Sequence, residues 1–360
     1  MMLAQPNSRM ETPQSIVAAD QIPFAQMREA FARAAGPGYV HRRYRVAGYA
    51  VDLHIVGEQL AGEVSRVFAH LETADTGRPA LTIEVWDEAA AGITGPRDWT
   101  GQPENLQVML KASADGRFVC EHRPQGIALL DRLAHRIVAC TSSADRRRLD
   151  ERARPFHRLL SMWLTDRGIH FVHAGLVSVE GRGILLGGHG GAGKSTSSVA
   201  CLRAGHRYLG DDHIALERLT DGSFRGYGFY ASCLLELNHM HCFAELLPHA
   251  LRPHYVDEDK AVFYFNELFP GAIHHSTRID VIALPKVVDC FEARAERASK
   301  AETLMALAPN SVMQLTVPTA AGFHTLADLV DSVPSYRLYI GRNIDRIPDA
   351  LCRMASELVA

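Results

Sequence analysis

The sequence predicts a mixed α/β (α+β) protein in two unequal parts, a smaller N-terminal α+β domain and a larger domain built on a glycine-rich loop. Three observations carry this expectation. A chain of 360 residues exceeds one typical domain. Residues 39–141 read as a series of short strands with a helical stretch among them. Past residue 169, a strand, a glycine-rich loop and a helix follow one another directly. The implied division is a disordered or loosely packed segment over 1–38, an α+β domain over 39–145, a linking amphipathic helix over 146–168 and the loop-bearing domain over 169–360.

Composition narrows the class without naming a function. Hydrophobic residues make up 47% and charged residues 22%, ordinary for a chain that buries a real core. A formal charge of -3 gives no reason to expect nucleic acid or an anionic membrane as partner. No apolar run reaches membrane-spanning length, and the N-terminus lacks a charged-then-apolar signal pattern. Seven cysteines, odd in number and without a C-x-x-C pair, point to free thiols and a cytoplasmic setting.

In chain order, Gln26 to Ala35 reads as a short helix ended by Gly36-Pro37-Gly38. Tyr44 to Val56 alternates around Val46, Tyr49, Val51, Leu53 and Ile55, as a half-buried strand does. Gln59 to Leu71 places Leu60, Val64, Val67, Phe68 and Leu71 on one helical face. Ala80 to Trp86, Leu106 to Leu110 and Phe118 to Glu121 read as strands, while Ile127 to Ala139 fits helix or strand. The arginine-rich stretch from Asp145 to Arg158 also carries Asp150 and Glu151. That mixture favours a solvated helix face with local ion pairs over a patch for nucleic acid or acidic substrates. Phe156, Leu159, Leu160, Trp163 and Leu164 follow helical spacing.

Phe171 to Val179 reads as a strand, Gly181-Arg182 as a type II′ turn and Gly183 to Leu186 as the returning strand. Pairing Glu180 with Gly183 sets His173 opposite Gly190, beside the loop. For His173, a site residue and a strand histidine satisfied by a backbone carbonyl remain alternatives.

The loop itself, Gly188-His189-Gly190-Gly191-Ala192-Gly193-Lys194-Ser195, fits G-x-x-x-x-G-K-[ST], with Thr196 next. Glycines let the backbone curl with its N–H groups pointing inward. Lys194 reaches the outer phosphates of a nucleotide, and the Ser195 hydroxyl is placed to ligate Mg²⁺. A helix opening at Ser195 adds the positive end of its dipole and ends at Gly205. A very short strand, His206 to Gly210, then delivers Asp211-Asp212. Of two such carboxylates, one can hold Mg²⁺ while the other takes a proton from an attacking hydroxyl. An Asx-type turn is the plainer alternative, and alternation along a strand can separate the pair.

Beyond the loop, Ile214 to Leu219 and Phe224 to Tyr230 form a second hairpin. Leu234 to Leu247 reads as a helix whose His239, His241 and Cys242 do not share a face suited to a metal. Asp257-Glu258-Asp259-Lys260 reads as an acidic loop before a strand at Val262 to Phe265. Ile279 to Leu284 is a buried strand ended by Pro285. Thr303 to Leu307 and Leu326 to Val330 are helix fragments around a proline-bearing loop. Tyr336 to Ile340 is the last strand, and Pro348 opens a terminal helix.

The segment from His173 to Asp212 resembles the HPr serine kinase/phosphorylase family, whose catalytic domain is related to phosphoenolpyruvate carboxykinase. The family's strand histidine, phosphate loop, Gly-His-Arg helix end and aspartate pair read here as His173, Gly188 to Ser195, Gly205-His206-Arg207 and Asp211-Asp212. The resemblance implies a PEP carboxykinase-like P-loop domain that uses ATP and Mg²⁺ to phosphorylate a hydroxyl, typically a serine of a peptide or protein. By the same resemblance, Lys194 contacts the β- and γ-phosphates and Ser195 and Asp212 hold Mg²⁺. Asp211 is the base, and His173 orients or electrostatically supports the site. Self-association is implied as well, since the family is hexameric. Two features depart from it: Thr196 stands where the bacterial enzymes typically have Glu, and their later signature loops do not appear within Gly226 to Pro270. The layout is closer to HPr-kinase-like proteins that accompany peptide natural products, such as lasso-peptide kinases. A nucleotide-binding regulator without phosphotransfer, a kinase of a small-molecule hydroxyl and a carboxykinase acting on an oxo acid remain alternatives. The last needs arginines for a carboxylate, for which Arg278 and Arg342 are the candidates.

Overall fold

The structure, a computed structural model, describes residues 15–17, 22–96, 109–251, 259–313 and 320–357. Two eight-stranded sheets organise them. The first runs, in spatial order, Ser15–Val17, Met109–Ser113, Phe118–Arg123, Gly126–Asp131, Arg136–Thr141, Leu81–Asp87, Tyr49–Val56 and Val40–Val46. Alternation along its strands sends side chains to two different cores. Leu129 and Val138 face Met27 and Phe31 of the helix Phe24–Ala34, whereas Leu130, Ile137 and Ala139 join Leu60, Val64 and Val67 of the helix Glu58–Phe68.

Several expectations change here. Residues Phe24–Ala34 are a packed helix with Phe24, Met27, Ala30, Phe31 and Ala34 buried, so this part of 1–38 is not loosely attached. Tyr44 to Val56 is two strands: Ala47 (φ 47) and Gly48 (φ 85) form a tight turn between them. The three-residue step from Val46 to Tyr49 was the break in alternation that marks it. Ile127 to Ala139 is likewise a hairpin, Gly126–Asp131 with Arg136–Thr141. The expected strand at Leu106 to Leu110 is seen as Met109–Ser113, with 106–108 outside the described residues.

The single helix expected over 146–168 is two helices, Leu149–Ala153 and His157–Thr165. Pro155 and a left-handed Phe156 (φ 59) separate them. Nor is the arginine stretch a solvated face. Arg147 and Arg152 are 5% and 6% exposed, and both reach Glu63 on the N-terminal helix, at 3.1 and 2.6 Å. The half-buried Glu63 carboxylate on the helix Glu58–Phe68, not solvent, sets the side these guanidiniums face.

The second sheet is built on two long strands, Ile169–Val179 and Ser276–Val287. The first pairs with His213–Arg218 through its first half and with Arg182–Gly187 through its second. Phe224–Tyr227 bridges His213–Arg218 to the start of Ser276–Val287, which then pairs in parallel with Arg182–Gly187. These five strands close into a ring of pairings. Leu176, Leu185, Ile214, Phe224 and Ile279, one from each strand, share one buried cluster. Arg207–Gly210, Ser335–Ile340 and Arg294–Arg297 extend the sheet.

Pro285 does not end its strand; it pairs with Leu338. Ile282 and Val288 donate to Pro334 and Ile340, so donors at even positions face the 335–340 strand. The donor that Pro285 lacks points the other way, past the end of Arg182–Gly187. Leu234 to Leu247 also differs from expectation. Ser232–Glu236 is a strand paired with Lys260–Tyr264, followed by 3₁₀ turns over Leu237–His249. Of the acidic loop at 257–260, residues 257 and 258 lie outside the described residues, and Lys260 opens the strand Lys260–Tyr264. Thr303 to Leu307 and Leu326 to Val330 lie within longer helices, Lys300–Met313 and Ala320–Ser332. Pro348 sits in the first turn of the helix Ile347–Ser356.

The two sheets share a core. Val51, Leu53 and Ile55 of the first lie in one cluster with Phe171, Tyr227, Phe229 and Tyr264 of the second half, and with Leu160 and Trp163 between them. Among the described residues no helix is long and apolar enough to cross a membrane.

Candidate active site

The strand Arg182–Gly187 ends on the glycine-rich loop, and the helix Lys194–Arg203 begins where the loop closes. Gly188 (φ 143), Gly191 (φ 77) and Gly193 (φ 103) take backbone conformations that favour glycine. At Gly193 there is a second constraint: an added Cβ would meet Ile340 Cδ1 at 2.5 Å. The helix ends as expected at Gly205 (φ 86). Gly205 N–H donates to Leu202 and His206 N–H to Cys201, the paired bonds of a Schellman cap.

Lys194 is only 7% exposed. Its ammonium donates to the carbonyls of Gly188 and His189, both at 2.9 Å, which uses two of three donors. Burial lowers its pKa to about 8, with the Asp211 carboxylate working in the opposite direction. The strand Arg207–Gly210 pairs alongside Ser178 and Val177 and delivers Asp211-Asp212. Asp211 is buried. The Tyr208 hydroxyl donates to its Oδ1 at 3.1 Å and the Cys233 thiol to its Oδ2 at 3.0 Å. Asp212 is more open. Its carboxylate pairs with the Arg154 guanidinium and lies 2.9 Å from His173 Nδ1 and 3.3 Å from His213 Nε2.

The hairpin before the loop differs in register from the expectation. Val179 pairs with Arg182, and Glu180 (φ 50) with Gly181 (φ 80) makes a type I′ turn. The expected type II′ turn assumed positive φ at Gly181 alone. Pairing ends at Ala174–Gly187, and His173 lies opposite His213 rather than Gly190. His173 still faces the same cleft as the loop. Burial, aided by the Lys194 and Arg154 charges, holds its pKa at about 3, so the imidazole is neutral near pH 7. Burial also keeps His157 and His213 well below the usual range, and their rings stack at 4.0 Å. The ligand atoms of His173, Asp212 and His213 lie within 4.8 Å of one another.

His173, Lys194, Asp211, Asp212 and Arg154 line one cleft of about 570 Å³. Gly190, Gly191, Gly193, Lys194, Ser195 and Thr196 form one wall, and His173, Asp211, Asp212 and Arg154 form its floor. Leu235, Met240, Phe243 and Ile344 give a more apolar side, and Lys260 and Arg342 stand at the exposed rim. Within the loop, Gly188 is buried and His189 is exposed. Of the two candidate carboxylate-binding arginines, Arg342 borders the cleft but pairs with Asp289 at 2.6 Å. Arg278 pairs in register with Arg225, away from it. His241 and Cys242 also border the cleft, without forming a metal cluster among the described residues.

Sequence reasoning missed Arg154, Tyr208 and Cys233. Tyr208, three residues before Asp211, sits on the same short strand. Arg154 carried one available signal: it stands next to Pro155, where a continuous helix is disfavoured.

No protein-family model matches the chain. Curated proteins named HPr kinase/phosphorylase are similar to part of it. Those of Clostridium novyi (strain NT) and Peptoclostridium acidaminophilum are 37% identical over 70 residues and 38% over 55 residues. The matches take in 19% and 15% of this chain, and 22% and 18% of those proteins. The chain thus matches about a fifth of the length of these relatives, and within that span it carries an HPr kinase/phosphorylase-like segment. A solved structure, the HPr(Ser) kinase/phosphatase from Coxiella burnetii, aligns at 13% identity with a TM-score of 0.31, covering 53% of this chain and 99% of that one.

Proposed function

We propose that this protein is an ATP- and Mg²⁺-dependent kinase that moves the γ-phosphoryl group to a hydroxyl, a serine of a peptide or protein. One observation carries the reading: Lys194 and Ser195 of the phosphate loop share a single cleft with Asp211 and Asp212. The partial similarity to HPr kinase/phosphorylase proteins supports it.

The residues suit the groups this chemistry requires. Positive-φ glycines turn the loop and the helix N-terminus toward anions, and the ammonium of Lys194 has a donor left for phosphate oxygens. The Ser195 hydroxyl and the Asp212 carboxylate are oxygen donors, which suits a hard cation such as Mg²⁺. When bound, that ion neutralises charge on the β- and γ-phosphates.

Asp211 then acts as base. The acceptor oxygen bonds to the γ-phosphorus, the bond from that phosphorus to the β,γ-bridging oxygen breaks, and the hydroxyl proton passes to the Asp211 carboxylate. Tyr208 and Cys233 fix that carboxylate's orientation. Lys194 holds the outer phosphates, and the neutral His173 braces Asp212. Catalysis of this kind depends on position and charge more than on covalent chemistry.

The test is incubation with Mg-ATP and a size-fractionated cell extract, with mass spectrometry for an addition of roughly 80 Da. Asp211→Asn should bind ATP normally and lose the transfer, whereas Lys194→Ala should lose much of both. Full turnover by Asp211→Asn would remove Asp211 from the role given to it.

A further inference from the structure

Arg154 is a charged residue of the inner cleft that none of the motifs accounts for. It follows the five-residue helix Leu149–Ala153 and leaves helical geometry at φ -140, ψ 66, just before Pro155 and the left-handed Phe156. This break carries its side chain away from the helix face and into the cleft that holds Lys194, Ser195 and Asp211. There it is 18% exposed and paired with Asp212.

Its placement depends on the N-terminal half. Arg147 and Arg152, on either side of the start of that short helix, are both held by Glu63 of the helix Glu58–Phe68. Arg152 also donates to the carbonyls of Ala144 and Asp145, and Arg147 to that of Glu151. From the other side, the Ser232 hydroxyl donates to the Ala153 carbonyl. Residue 154 is therefore fixed by contacts with both halves of the molecule.

The charges in the cleft show what such a placement supplies. Among the described residues, Lys194 and Arg154 are balanced by Asp211 and Asp212 in the inner cleft, with Glu236 exposed farther out. A nucleoside triphosphate with one divalent cation brings net negative charge, concentrated on the group in transfer. Lys260 and Arg342 stand at the exposed rim, which leaves Arg154, among the described residues, as the inner cation besides Lys194. A guanidinium also presents a planar fork that matches two phosphate oxygens, which an ammonium does not.

We propose that Arg154 is a catalytic residue that contacts the transferring phosphoryl group, held in place by the N-terminal half. Its guanidinium leaves Asp212 for the phosphoryl oxygens, which frees the Asp212 carboxylate for the divalent cation. The proposal rests on the phosphotransfer reading above. It assigns the N-terminal sheet a part in the reaction: it holds the segment that carries this cation.

The test needs no acceptor. Mg-ADP affinity is measured with and without aluminium fluoride, a mimic of the phosphoryl group in transfer, for the native chain, Arg154→Ala, Arg154→Lys and Lys194→Ala. Native protein should bind Mg-ADP much more tightly when fluoride is present. Arg154→Ala should bind Mg-ADP within about threefold of native but lose about 100-fold or more of the tightening, the range set by removal of one such donor. Arg154→Lys, which keeps the charge, should recover only part of it. Full tightening in both variants overturns the proposal. Failure of the native chain to bind Mg-ADP, or unchanged binding by Lys194→Ala, instead removes the phosphotransfer reading itself.

Discussion

The Cys233 thiol donates to Asp211 Oδ2 across 3.0 Å, from a strand that lies 22 residues further along the chain. With Tyr208 on Oδ1, it leaves the carboxylate little freedom to turn. Burial pushes the Cys233 thiol and the Tyr208 hydroxyl well above their usual pKa, so both keep their protons and remain donors. Tyr208→Phe removes one donor from a buried carboxylate and should cost about 1–3 kcal/mol of stability. It should also slow transfer more than it weakens ATP binding. Cys233→Ser, which keeps a donor, should be milder than Cys233→Ala. Denaturant unfolding and single-turnover kinetics on the three variants test this ordering; native rates in all three would show that neither group orients Asp211.

Gly193 is constrained twice, by a φ of 103 and by Ile340 Cδ1. Gly193→Ala should cost about 2 kcal/mol and weaken Mg-ATP binding. Adding Ile340→Val removes the opposing methyl but leaves the backbone strain, so stability should return only in part. A double variant with native melting temperature would place the whole cost in the contact.

Glu63 serves both Arg147 and Arg152. Glu63→Ala leaves two buried guanidiniums with backbone carbonyls but without their shared carboxylate, a loss of about 3 kcal/mol. Glu63→Gln, which retains an acceptor, should lose less. Urea midpoints measure both, and an Ala variant as stable as native would show the clamp to be idle.

Both ring nitrogens of His70 are buried, and burial lowers its pKa to about 4. An unfolded chain takes up this proton near pH 6.5 and the folded chain only near pH 4. Between those values the unfolded state binds more protons, so stability is complete above pH 6.5 and falls as pH drops toward 4. His70 alone should contribute a loss of about 2 kcal/mol by pH 5. Comparing urea midpoints at pH 7.5 and 5.0, native against His70→Asn, isolates it; equal acid losses in the two would assign the effect to other groups.

The glycine-rich loop, its helix and the short strand leading to Asp211-Asp212 were legible because each obeys a local rule: glycines where φ is positive, a cap residue at Gly205, carboxylates at a strand end. What depended on distant contacts was not. The hairpin register slipped by two because Glu180, a residue with no special tendency toward positive φ, takes one of the two turn positions. Arg147 and Arg152 read as surface charges because their carboxylate lies more than eighty positions away. Arg154 was hidden for the same reason: its partner Asp212 is remote in sequence. Leu234 to Leu247 has a helical apolar pattern, yet its first residues pair with Lys260–Tyr264, and tertiary pairing prevailed over propensity.

The ring of five strands has a consequence for how the chain comes to be folded. Its opening strand is complete by Val179, and the loop-bearing strand by Gly187, but the strand that shuts the ring runs only to Val287. During synthesis at about 5–20 residues per second, the strand leading into the glycine-rich loop would wait on the order of ten seconds for its parallel partner. Through that interval one edge of Arg182–Gly187 is open, with Ile184, Leu185 and Leu186 uncovered. Closure by so distant a segment is slow compared with a local hairpin. The interval between Gly187 and Ser276 is thus where a nascent chain is most exposed to pairing with the wrong strand.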